Sequence, residues 1–208
     1  YAQSWVNIKI RWNLKADASE LSRLKAFLGA DAKLPQTAPE HQCLSKSNKN
    51  STMGLAVQSN YECGAKKITG GSVAVRNSSL FLEWIDIYGP DKIILGSDVN
   101  GEKIAINGWL ETSNQTINKF LSFYIDNGVR TTICTDVSKD GMLKGPSISL
   151  YKKILKQNSI DLIASGGISK IDDINQLSEI GCEGAIIGKA IYEKSISLKE
   201  LEKYNLNN

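Results

Sequence analysis

Two carboxylates, a hydroxyl and three glycine-rich turns are spaced along this chain as if each ended a strand. Asp98 closes the apolar run Lys92-Ile93-Ile94-Leu95-Gly96-Ser97-Asp98. Thr135 closes the β-rich segment Arg130 to Thr135, and Asp136-Val137-Ser138-Lys139-Asp140-Gly141 follows. Ser165-Gly166-Gly167 comes after Ile160 to Ala164, Gly188-Lys189 after Gly184 to Ile187, and Gly70-Gly71-Ser72 after Ile68-Thr69. A carboxylate pair serves as acid and base when its surroundings separate the two pKa values. A glycine turn entering a helix leaves backbone N–H groups free and stabilises an anion there. Together the residues predict proton-transfer chemistry on an anionic substrate. Simpler readings compete. Asp136 is expected to be structural, Asp140 before Gly141 could hold only a turn, and the glycines could be tight βα connections. Asp98 has no helix to cap, because Gly101-Glu102-Lys103 opens a hairpin, which favours a functional role.

The elements that must position these residues alternate. Thr116 to Asn127 has helical spacing at Ile117, Phe120, Leu121 and Tyr124. Ile148 to Gln157 is a second helix, with Leu150, Ile154 and Leu155 on one side. Ser169-Lys170-Ile171-Asp172 reads as a capping box opening a helix that runs to Gly181, and Ser197-Leu198-Lys199-Glu200 as another. Nearly continuous apolar strands alternating with helices predict a parallel sheet covered on both faces. A doubly wound sheet and a closed barrel both satisfy that pattern. An internal repeat helps to decide: Glu62 to Ala74 can be laid over Glu179 to Ile191. Each copy reads helix end, glycine turn, strand, then a glycine turn into a helix, which suggests two anion sites.

Residues 1–60 differ. Trp5 to Trp12 alternates like a half-buried strand, and Ser19 to Leu28 has a helical face of Leu21, Leu24 and Leu28. Lys33 to Asn60 is polar and without period, and is expected to be loop or disorder. The expected organisation is therefore an atypical segment over 1–60 and a (β/α) unit over 61–208.

Composition excludes several classes. The chain has 208 residues, 41% hydrophobic and 23% charged, with a formal net charge of +3. That is an ordinary globular composition, too weakly and evenly basic to suggest nucleic acid. Four cysteines without a C-x-x-C pair and a single histidine predict no metal site, and reduced thiols at Cys134 and Cys182. No apolar run reaches the length of a membrane span, and no leader is visible at Tyr1.

Five segments, in order, carry a specific resemblance. They are Thr69-Gly70-Gly71-Ser72-Val73-Ala74-Val75, Gly96-Ser97-Asp98-Val99 with Asn107-Gly108-Trp109-Leu110-Glu111, Thr135 to Pro146, Ile163 to Ile168, and Gly184 to Ala190. From Glu62 onward the chain resembles the aldose–ketose isomerase family of histidine biosynthesis, whose members act on phosphoribosyl-formimino-aminoimidazole carboxamide ribotide. The resemblance implies a (β/α)8 TIM-type barrel, here incomplete or distorted in its N-terminal part. It implies an Amadori rearrangement of a bis-phosphorylated small molecule, without metal or cofactor, by a cytoplasmic monomer that uses neither nucleic acid nor membrane. Asp98 matches the general acid, and Thr135 and Asp140 match residues lining the reaction centre. Trp109 matches the tryptophan that covers the substrate. Gly141, Gly166, Gly167, Gly188 and Lys189 match the substrate-binding positions around one phosphate, and Gly70, Gly71 and Ser72 those around the other.

The family's first strand, an apolar run with Pro and then Asp as general base, is not found. The first acidic residue is Asp17. A frameshifted or truncated N-terminal part, a divergent one, or another residue serving as base each account for this. An inactive chain is expected in the first case, and a barrel left open at its edges, hence of low stability. A related cyclase of the same pathway shares the two-phosphate barrel but lacks the Asn107-Gly108-Trp109 loop. A dual-specificity isomerase also serving tryptophan synthesis, and a non-catalytic phosphate-binding barrel, are the remaining alternatives.

Overall fold

Apolar residues at Ile93, Leu95 and Val99 of one strand, and Cys134, Leu162 and Ala164 of its neighbours, need a dry face. Helices supply it. The protein was analysed as a computed structural model, which describes residues 57–58, 60–61, 65–106 and 109–205. By internal contacts the chain divides into Tyr1–Leu55 and Ala56–Asn208, and all described residues lie in the second unit. The expected strand Trp5 to Trp12, the helix Ser19 to Leu28 and most of the polar stretch Lys33 to Asn60 fall outside the described residues.

In chain order the elements are β1 (Ile68–Gly70), α1 (Ser72–Arg76), α2 (Ser78–Tyr88), β2 (Ile93–Asn100), β3 (Lys103–Ile106), β4 (Glu111–Thr116), α3 (Ile117–Asp126), β5 (Thr131–Asp136), α4 (Ile148–Gln157), β6 (Asp161–Ser165), α5 (Ile171–Glu179), β7 (Gly184–Ile186), α6 (Lys189–Tyr192) and α7 (Leu198–Asn205). Parallel strands pair as β1-β2-β5-β6-β7. Their spatial order is their sequence order, without the reversal that defines a doubly wound sheet. That is the wall of a (β/α) barrel, and it settles the choice the alternation left open. The hairpin expected at Gly101 is present: β3 pairs antiparallel with the end of β2, and β4 with β3.

The two faces of the sheet differ. Ile93, Leu95, Val99, Cys134, Leu162 and Ala164 are fully buried, in one core with Phe81, Phe120, Tyr124, Tyr151, Ile154 and Leu177 of the helices. Ser97 and Thr132 share that buried face. Their hydroxyls lie 2.9 Å apart and donate onward to strand carbonyls, Thr132 to Leu95 and Ser97 to Ile133. The alternate residues, Asp98, Ile133, Thr135, Ile163, Ser165 and Ile186, point to the other side, the interior face of a barrel wall.

Local boundaries depart from expectation in physically legible ways. β2 runs past Asp98 to Asn100 because β3 supplies ladder partners for Val99 and Asn100. Strand β6 is shifted one residue, to Asp161–Ser165. The cap of α5 is Asp173, not Asp172. The Asp173 carboxylate accepts from the Ser169 and Lys170 N–H groups and the Ser169 hydroxyl, and is buried. Asp172 is exposed, where Lys170 and Gln176 reach it. Helix α5 ends at Glu179 rather than Gly181. The cap Ser197–Glu200 forms as read. Residues 57–58 and 60, expected as loop, are helical, as is Tyr61. Val57 and Tyr61 are four apart and share a face; Val57 is buried, and the Tyr61 hydroxyl donates to Lys92 O at 2.8 Å.

Tyr124 anchors the first glycine turn from beneath. Its ring packs edge-on to Phe81 and Phe120, and its hydroxyl donates to Ala74 O of α1. Tyr124→Phe strands that buried carbonyl and is expected to cost about 1–2 kcal/mol, read as a lower urea midpoint at unchanged slope.

Candidate active site

Register places two of the candidates, Asp98 and Thr135, in one row. Across β2, β5, β6 and β7 the paired residues are Asp98, Thr135, Ser165 and Ile186. Paired residues in parallel strands share a face, so this row lines the barrel interior at the C-terminal strand ends, where barrel active sites sit. Thr135 and Ser165 are nearly buried, whereas Ile186 is 41% exposed.

The β3–β4 excursion brings Trp109 back over the row. Its indole N–H donates to Asp98 Oδ2 at 2.8 Å. Trp109 has a positive φ of 72° and leaves 48% of its surface exposed. A bulky residue in the left-handed region is rare and strained. Asn107 and Gly108 fall outside the described residues.

The connection after β5 is held from within by Asp136. Its carboxylate accepts from the Ser138 N–H at 3.0 Å, the Ser138 hydroxyl at 2.7 Å and the Ser147 hydroxyl. Asp136 is thus structural, as expected, although it braces a loop rather than capping a helix. Asp140 stands on the next turn, its N–H donating to Asp136 O. Asp140, Gly141, Ser165, Gly166, Gly167, Gly188 and Lys189 line a single cavity of about 210 Å³, closed by Leu143, Ile168 and Ile186. Gly167 has φ +82°, and a Cβ there would stand 2.3 Å from Gly145 O, which belongs to the loop bearing Asp140. Gly145 N–H in turn donates to Gly167 O at 2.9 Å. Below, the buried Tyr151 hydroxyl donates to Ser165 O at 2.7 Å and fixes the strand end just before the turn. A larger depression of about 510 Å³ lies on the outer helices, between Lys152, Lys156 and Glu179, and contains none of the candidate residues.

Gly70, Gly71 and Ser72 lie apart from this cavity, at the end of β1. Gly71 packs so closely on Gly96 of β2 that a Cβ on Gly96 would reach its Cα at 2.9 Å. Gly71 and Gly188 occupy equivalent positions in the internal repeat. Their dihedrals agree: φ −104° and ψ −77° for Gly71, φ −111° and ψ −95° for Gly188, each preceding a short helix. The repeat is therefore a repeat of backbone geometry. Three strand spacings separate β1 from β6, about 14 Å along the sheet, with Asp98 and Thr135 on the two strands between.

The described thiols take no part in this arrangement. Burial pushes Cys134 up to about 12 and Cys182 up to about 11. Neither pairs in a disulfide. A thiol raised from 9.0 stays protonated in the folded chain while the unfolded chain ionises. Its contribution to stability is therefore complete below pH 9 and lost as pH rises toward 12. Urea midpoints are expected to fall steadily from pH 9 to pH 10.5, and Cys134→Ala to flatten that fall. Among the described residues no three His, Cys, Asp or Glu side chains cluster as a metal site. No described helix is long and apolar enough to cross a membrane.

Sequence reasoning missed Ser147, Tyr151 and Asp173, which hold the loops around the cavity. Their only sequence signal was a polar residue at or beside a helix start, or a tyrosine on an apolar helix face. The sequence profile described as "Histidine biosynthesis protein" matches residues 55–197. A protein of Flavobacterium psychrophilum named 1-(5-phosphoribosyl)-5-((5-phosphoribosylamino)methylideneamino) imidazole-4-carboxamide isomerase is 57% identical over 148 residues, 71% of this chain and 61% of that protein. Proteins of the same name from Flavobacterium johnsoniae and Bacteroides thetaiotaomicron are 56% and 53% identical, over 69% and 68% of this chain and 60% and 59% of theirs. The chain spans about three-fifths of the length of these relatives.

Proposed function

The chain belongs to the histidine biosynthesis protein family, whose fold is the (β/α)8 barrel, and on that premise we infer that its site is built for the isomerisation its relatives are named for. The substrate is the aminoaldose, a bis-phosphorylated imidazole carboxamide ribotide, and the product its aminoketose. The observation that carries this reading is the order along the sheet. Two glycine turns of matched geometry stand at either side of the Asp98–Thr135 pair, so a molecule with a phosphate at each end lays its reacting sugar across that pair.

The chemistry needs no cofactor. Asp98 protonates the ring oxygen as the C1–O bond breaks, and the substrate's own nitrogen takes up the developing charge as a protonated Schiff base. A base then removes the C2 proton, giving the enolamine, which becomes the aminoketose. Thr135 and Asp140 line the reacting atoms. Trp109 leaves Asp98 to cover the sugar. Backbone N–H groups at Gly166, Gly167 and Gly188 hold one phosphate, with Gly141 at the cavity rim, and those at Gly70, Gly71 and Ser72 hold the other. Such an enzyme works as a monomer in the cytoplasm and needs neither nucleic acid nor membrane.

The base is the open position. The first-strand Asp of the family is not found in residues 1–60. That observation favours a second reading, a barrel that binds bis-phosphates without turning them over. One experiment separates the two: the chain is mixed with the aminoaldose, conversion is followed by absorbance, and binding by calorimetry. Conversion supports the isomerase, binding without conversion the second reading, and absence of both overturns each.

A further inference from the structure

The site just described uses Lys189 only through its place on the turn, yet its side chain has a specific partner. Lys189 Nζ donates to Gly141 O at 2.9 Å, across 48 residues. The acceptor follows Asp140 directly, in a turn where Gly141 has φ +67°. Other hydrogen bonds of residues 138–143 stay within the last residue of β5 and the connection after it: the Ser138 N–H and hydroxyl donate to the Asp136 carboxylate, the Lys139 and Asp140 N–H groups to Asp136 O, and the Met142 N–H to Lys139 O. Apart from Asp136 at the end of β5, Lys189 is the only group outside that connection, among the described residues, that hydrogen-bonds to 138–143. Both ends of the link line the glycine cavity.

We propose that the Lys189 side chain is a positioning residue that ties the turn after β7 to the Asp140–Gly141 turn, so that an anion in the glycine cavity sets the placement of Asp140. The inference rests on the phosphate reading of that cavity. A lysine at an open surface gives up much rotamer freedom for one neutral acceptor, so the link is weak in the empty site. A dianion at the Gly166, Gly167 and Gly188 amides holds the ammonium at the cavity rim by charge. The same ammonium keeps its grip on Gly141 O, and the link tightens. Binding at one end of the substrate thereby orders a carboxylate at the reaction centre.

The test is hydrogen exchange of the full chain over residues 138–145, with and without inorganic phosphate, in wild type, Lys189→Met and Lys189→Arg. Phosphate binding is followed separately by ³¹P line broadening. Wild type is expected to slow in exchange when phosphate binds. Lys189→Met is expected to exchange about fivefold faster in this segment without phosphate, the loss of one hydrogen bond, and to show no slowing with it. Lys189→Arg restores both. Where wild type turns over, Lys189→Met is expected to lower kcat and to raise KM, because the charge that holds the ammonium also holds the dianion, and Lys189→Arg to recover both. Unchanged exchange in Lys189→Met overturns the link, and equal slowing by phosphate in wild type and Lys189→Met overturns the coupling. If wild type binds no phosphate, the cavity reading and the coupling fail together, while the phosphate-free comparison still decides the link.

Discussion

Asp98→Asn is expected to lower turnover of the aminoaldose by about 10²–10⁴-fold, the range general acid catalysis supplies, while leaving KM within a few-fold. The amide keeps the size of the carboxylate and can still accept from the Trp109 indole, so the interior row and its cover stay in place. What it loses is the proton for the ring oxygen. On the proposed reading substrate affinity rests on the glycine turns after β1 and after β6 and β7, three to four strand spacings apart, and the substitution touches none of them. A matched loss in kcat and kcat/KM is the signature of an interaction made only in the transition state. An Asp98→Asn chain with wild-type kcat would remove Asp98 from the chemistry and move attention to Asp140.

Gly167→Ala is expected to be the most damaging single methyl group in the described chain. Two costs add. A residue other than glycine at φ +82° is strained by about 1–3 kcal/mol. The new Cβ would also stand 2.3 Å from Gly145 O and 3.0 Å from Gly145 C, both backbone. The loop carrying Asp140 must therefore move, and it takes the Gly145–Gly167 hydrogen bond with it. Urea unfolding should show a loss of several kcal/mol, and the cavity should no longer bind phosphate. Gly181→Ala is the control. Its φ is +90°, yet nothing lies within 4 Å of its Cβ position, so only the strain remains. If both substitutions cost the same, the close approach to Gly145 carries no weight and the loop is softer than the geometry states.

Much of the site was legible because its residues sit where the pattern changes. An apolar run ending in Asp98, a second ending in Thr135 and three glycine turns each mark a strand end, and the structure sets Asp98 and Thr135 on adjacent strands in register. The hairpin at Gly101 and the cap Ser197–Glu200 were readable for the same reason, since local chemistry alone decides them. The α5 cap was not. Asp172 fits the short-range signature, but Asp173 is buried beside Gly145 and meets three donors at once. Helical residues 57–58 and 60–61 were hidden too, because Val57 and Tyr61 gain their partners only from the folded core.

The sequence by itself determined the alternation of strands and helices, the candidate residues and the repeated turn, all of which depend on neighbours within a few positions. Sequence order alone could not tell a barrel wall from a doubly wound sheet, since both bury the same apolar strands. Only the tertiary structure decided that, by pairing β1-β2-β5-β6-β7 without reversal. It also decided that Trp109 meets Asp98 and that Lys189 meets Gly141, contacts 11 and 48 residues apart. The physical reason is the same in each case. A hydrogen bond between distant residues exists only after the sheet has brought their strand ends together, and no spacing along the chain records that distance.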